Sequence, residues 1–78
     1  MKEAVELIVK SLVREPDEVD VREVAGRDRS TSVIEVRVAE GDVGKLIGRQ
    51  GRTVRALRSV LHAAGVKHGR RYVLEIVE

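Results

Sequence analysis

Two glycines three positions apart, Gly48 and Gly51, constrain this chain more than any other feature. They bracket a two-residue tip, Arg49 and Gln50, between a short run carrying Leu46 and Ile47 and an arginine-studded helical pattern that begins near Arg52. A glycine admits φ > 0 and lets another backbone come close, because no Cβ stands in the way. The stretch from Val43 to Val54 therefore reads as a tight turn between two helices. A loop of this make, tipped by a cation and an amide, can present N–H groups and positive charge to a phosphate backbone.

The distribution of charge points the same way. From Val43 through Leu74 there are eight basic residues (Lys45, Arg49, Arg52, Arg55, Arg58, Lys67, Arg70, Arg71) and no Asp or Glu. The other residues hold seven basic side chains against all thirteen acidic ones. An isolated charge run usually marks a solvated helix face. Thirty-two residues without an acid, containing a Gly-x-x-Gly loop, indicate instead a face built for a polyanion.

Composition excludes several other chemistries. There is no Cys, hence no disulfide frame, thiolate metal site or cysteine nucleophile. His62 and His68 do not have metal-pair spacing, and no carboxylate in the basic half could orient either as a catalytic base, so an enzyme is not expected. Gly41 to Lys45 is too short for a nucleotide P-loop, and Leu46 stands where that motif needs Ser or Thr. No cofactor is implied. No apolar run approaches the roughly 20 residues of a membrane span, and the amino terminus lacks a signal pattern, so a cytoplasmic protein with no membrane partner is expected. At 78 residues, one domain is expected.

Read in order, Lys2 to Arg14 is expected to form a helix. Val5, Ile8 and Leu12 form its apolar stripe, Ala4, Val9 and Val13 widen it, and Pro16 ends it. Two strands follow: one alternates at Val19, Val21 and Glu23, the other at Ile34, Val36 and Val38. The Gly26–Thr31 link joins them as an antiparallel hairpin. Asp42 is the expected N-cap of a short helix from Val43 to Ile47. A longer helix from Arg52 to Ala64 buries Val54, Leu57 and Leu61, with Gly65 as its C′ residue. The last strand, Arg71 to Val77, sets Tyr72, Leu74 and Ile76 on one face. The expected class is α+β: a three-stranded sheet covered on one face by three helices, in the order α-β-β-α-α-β. The two-helix crossover makes the second and third strands parallel.

The stretch Leu46-Ile47-Gly48-Arg49-Gln50-Gly51-Arg52-Thr53-Val54 resembles the KH-domain signature, aliphatic-Ile-Gly-x-x-Gly-x-x-Ile, with Val54 one methylene short of the usual Ile. The element order, with a helix and strand ahead of the core, is similar to the type II KH arrangement. The likeness is closer still to the small single-domain bacterial RNA-binding proteins called KhpA. These open with a similar helix and carry Gly-Lys-aliphatic-Ile-Gly-basic-Gln-Gly-Arg-Thr, here Gly44 to Thr53. The resemblance covers essentially the whole chain, residues 1–78, as a single KH-like domain.

The resemblance implies binding of about four nucleotides of single-stranded RNA, with the loop against the backbone. Gly48 and Gly51 would shape the loop, Arg49 and Gln50 would face the phosphates, and Lys45, Arg52 and Arg55 would flank it with charge. Ile47 and Val54 would line an apolar floor, with part of the strand at Ile34, Val36 or Val38. With no Phe or Trp and a single Tyr, stacking of bases on rings is not expected, so specificity should be low. A low-specificity RNA-binding regulator or chaperone fits that description. The rival reading is a protein-interaction adaptor, since KhpA-like proteins are associated with homodimers and with a larger KH-containing partner.

Overall fold

The alternating stretches pair as their periodicity requires. In a computed structural model describing residues 1–78, β1 (Asp20–Ala25) and β2 (Thr31–Arg37) form an antiparallel hairpin, with Val21 opposite Val36 and Glu23 opposite Ile34. The turn is closed by Gly26 N–H to the Thr31 carbonyl at 2.9 Å. Within it, one Asp28 carboxylate oxygen accepts both the N–H and the hydroxyl of Ser30, at 2.9 and 2.8 Å. β3 (Arg71–Ile76) lies parallel to β2, with Ile34 opposite Leu74, so the sheet order is β1-β2-β3 and β2 is central. The parallel crossover carries α2 (Val43–Ile47) and α3 (Arg52–His68), and α1 (Lys2–Leu12) precedes the hairpin.

Side chains on a strand alternate between faces, and here one face carries the core. Val21, Ile34, Val36 and Leu74 are buried beneath Val5 and Val9 of α1, Leu46 of α2, and Val54, Leu57 and Leu61 of α3. Branched aliphatics fill the interior without a single Phe or Trp. The fold is α+β, with a mixed three-stranded sheet and three helices in the expected order. No helix is long and apolar enough to cross a membrane.

Two helix ends differ from expectation, each for a local reason. α1 stops at Leu12 rather than Arg14, with Val13 already extended at φ −96°, ψ 161°. Asp42 explains this. Its side chain makes no capping bond to α2; it is buried, 2% exposed, and accepts the backbone N–H groups of Arg14 at 3.2 Å and Glu15 at 3.0 Å. The carboxylate thus ties the end of α1 to the start of α2, and the expected N-cap role is corrected.

Along α1 the buried line is Val5–Val9, with Ile8 and Val13 half-buried at its flank. Leu12 and Ala4 of the expected stripe remain exposed. The other differing end is that of α3, which continues past Ala64 to His68. Gly65 is not its stop. It sits buried inside the helix, where a Cβ would collide with the Arg70 carbonyl oxygen as the chain doubles back. Gly69, left-handed at φ 65°, ends the helix instead.

Candidate nucleic-acid interface

The loop between α2 and α3 is built from left-handed backbone. Gly48 has φ 80°, Gln50 φ 56° and Gly51 φ 74°; Gln50 is the chain's one non-glycine residue with positive φ. Arg49–Gly51 make a single 3₁₀ turn, closed by Gly51 N–H to the Gly48 carbonyl at 3.1 Å. Gly48 is required twice, for its φ and because a Cβ there would lie 2.8 Å from the Thr53 nitrogen and against its side chain. Left-handed backbone costs an L-residue about 1–2 kcal/mol, so something must hold Gln50.

Arg55 supplies that hold. One turn into α3, its guanidinium donates to the Gln50 carbonyl through Nη2 at 2.7 Å and to the Gly51 carbonyl through Nε at 3.3 Å. Arg52 reaches the Gln50 side-chain oxygen at 3.5 Å. Arg49, Gln50, Arg52 and Lys45 are all exposed around this tip. The tip is therefore a braced turn surrounded by free donors.

Its electrostatics follow from what the cations do not touch. The three ion pairs of the molecule, Met1–Glu3, Lys10–Glu6 and Arg22–Asp20, all lie outside residues 43–74. None of the eight basic side chains in that segment has a carboxylate partner. Uncompensated positive charge over one surface raises the local concentration of a polyanion.

The expected floor is narrower than its aliphatic sequence suggested. Ile47, at the foot of the loop, is 38% exposed, while Val54 shows only an edge at 8%. Ile34 and Val36 have no exposed surface, and Val38, at 8%, shows no more than Val54 does. These strand residues belong to the core.

A surface that sequence reasoning missed runs along α3 from Arg58 onward, leading away from the loop. Between α3 and the free edge of β3 runs an open groove of about 1130 Å³, bordered by Arg58, His62 and Val66 on the helix and by Arg70, Tyr72 and Ile76 on the strand. Part of the signal was in the sequence: Arg58 and His62 continue the exposed side of α3 beyond Arg55. Tyr72, half-buried and set edge-on to His68 with centroids 6.5 Å apart, brings one aromatic ring to the groove. Its place at the groove was not anticipated from the sequence. The strand's far half was not legible, because Tyr72 and Ile76 read as core until β3 is known to be the sheet's edge.

Comparison with known proteins agrees with this architecture. A family model described as "KhpA/KhpB, KH domain" matches residues 2–76. The chain is similar to the RNA-binding protein KhpA of Aquifex aeolicus, 51% identical over 78 residues, spanning all of this chain and 96% of that protein. It is also similar to the RNA-binding proteins KhpA of Clostridium acetobutylicum and Clostridium perfringens. These are 49% and 46% identical over 77 residues, each match covering 99% of this chain and the whole of the relative. No solved structure matches the chain.

Proposed function

The chain belongs to the KhpA/KhpB KH-domain family, and we propose that it is an RNA-binding protein that holds single strands along the Gly48–Gly51 loop. The observation that carries this is the set of eight cations between Val43 and Leu74, none paired with a carboxylate. Arg49, Gln50, Lys45 and Arg52 face the phosphates. Gly48 and Gly51 set the turn, and Arg55 braces it. Ile47 and the edge of Val54 meet a base from below. A groove open on one side and walled by a helix and a strand edge admits splayed bases and not a duplex. With few base-reading groups, the protein acts as a low-specificity regulator or chaperone of RNA rather than as a catalyst.

The double substitution Arg49→Asp and Gln50→Asp tests this. Asp tolerates left-handed backbone better than most residues, and exposed changes usually alter stability by about 0.5 kcal/mol or less. The melting temperature should therefore barely move. Two carboxylates at the phosphate position should lower affinity for single-stranded RNA at least about tenfold, or roughly 1.4 kcal/mol. Fluorescence anisotropy reads the loss, with a duplex of equal length as competitor. Undiminished binding by a folded variant, or tighter binding of the duplex by wild type, removes the loop from the interface.

A second reading is favoured by exposed aliphatics: Leu7 on α1 and Val66 on α3 are each 73% exposed. In that reading the chain is also an adaptor that pairs with a second copy or with a larger KH-containing protein. Association that is insensitive to RNA and to salt distinguishes it from the clamp.

A further inference from the structure

Five cations converge at the end of the molecule away from the loop. Arg27 and Arg29 occupy the β1–β2 turn, Lys67 the last turn of α3, and Arg70 and Arg71 the entry to β3. Three contacts bring these segments together. The Arg71 N–H donates to the Ser30 carbonyl at 2.7 Å, the Arg70 guanidinium donates to the Ser32 hydroxyl at 2.6 Å, and the Arg70 carbonyl passes against Gly65. All five side chains are exposed. The single acid among them, Asp28, is turned into its own loop by Ser30.

The separation from the Gly48–Gly51 loop is set by α3. Its 17 residues at about 1.5 Å each place the two basic ends about 25 Å apart. Cations in the last turn of a helix are favoured by the macrodipole alone, which accounts for Lys67. It does not account for Arg27 and Arg29, which come from a different part of the chain and have no carboxylate partner.

We propose that the hairpin tip and the carboxyl end of α3 form a second phosphate-binding station for the same RNA single strand that the loop holds. The inference rests on the proposed function and extends it to the length of the ligand. A KH loop clamps about four nucleotides, and 25 Å is about seven nucleotides of a stacked strand at the roughly 3.4 Å axial rise per nucleotide. Strands long enough to reach both stations are held at two points, and the second contact forms at high effective concentration.

The test compares oligouridylates of about 4 and about 10 nucleotides, measured by fluorescence anisotropy with wild type and with the triple variant Arg27→Ser, Arg29→Ser, Lys67→Ser. A longer strand also offers more registers, a statistical gain that both proteins share, so the difference between the proteins is what counts. The variant should bind the short strand within about twofold of wild type and the long strand at least about fivefold more weakly. Its log–log salt slope on the long strand should be lower by about 2, since about 0.7 counterion is released per contact on single strands. The charge-preserving variant Arg27→Lys, Arg29→Lys, with Lys67 retained, should keep the wild-type gain with length, because charge and not shape carries the contact. Equal gain with length in wild type and triple variant overturns the second station and leaves the loop reading intact. No binding by wild type at either length overturns the loop reading and this one with it.

Discussion

At the scale of single residues, Arg55 is a cation directed at its own loop. By sequence it belongs with the cations that flank the loop. In the structure, Nη2 and Nε are directed to the Gln50 and Gly51 carbonyls. A brace and a phosphate contact differ in their response to salt. Arg55→Ala is expected to weaken RNA binding several-fold while leaving the log–log salt slope unchanged. A residue that neutralised a phosphate would instead lower the slope by about 0.7. Anisotropy titrations across a range of salt concentrations decide between them, and a reduced slope refutes the brace. The brace was not legible in the sequence because it depends on the left-handed turn at Gln50, which brings two successive carbonyls within reach of a side chain four and five residues on. Asp42 misled for a related reason. Its position before a helix reads as a cap, whereas its partners, Arg14 and Glu15, are about 27 residues away in the chain.

At the scale of elements, that same carboxylate is what joins α1 to α2. Removing it leaves two backbone N–H groups without their acceptor, and hydrogen bonds to charged groups contribute about 1.5–3 kcal/mol each. Two such bonds amount to about 3–6 kcal/mol, and water reaching the exposed Arg14 and Glu15 offsets part of it, so Asp42→Ala should lower stability by about 2–4 kcal/mol. In urea unfolding the midpoint should fall with the slope unchanged; a shift equivalent to less than about 0.5 kcal/mol shows that the tie is dispensable. The end of α3 offers a sharper comparison. Ala is the better helix former by about 1 kcal/mol, so Gly44→Ala, where a Cβ meets nothing within 4 Å, should stabilise by up to that amount. Gly65→Ala should have the opposite sign and destabilise by about 1–3 kcal/mol, because a backbone carbonyl occupies the space. Thermal melts of the two variants check the signs, and stabilisation at Gly65 removes the close-approach argument. Periodicity revealed the strands, their pairing and the buried stripe of α3, since these depend on which residues must leave water. It could not separate a glycine that ends a helix from one that admits a neighbour, because the two have the same local sequence.

At the scale of the whole molecule, a domain this small buries only about 60% of its unfolded surface, and Leu7, Val60 and Val66 remain more than half exposed. Covering them with a second copy adds apolar burial. Light scattering at micromolar concentration is expected to give about twice the monomer mass of 8.7 kDa; the monomer mass throughout the range refutes self-association. The sheet topology has a further consequence, in time rather than in space. The β1–β2 hairpin and α3 are made of contacts near in sequence, whereas β3 reaches β2 only after the 33 residues from Val38 to Arg70 have been looped back. Closing that loop costs roughly 3 kcal/mol of chain entropy before any pairing repays it, and contacts of this kind form late. The strand edge that walls the groove and the strand entry that completes the far basic end are thus among the last parts to assemble. A chain being synthesised beside ribosomal RNA carries its arginines from the start, but it acquires the surface that arranges them only when β3 docks.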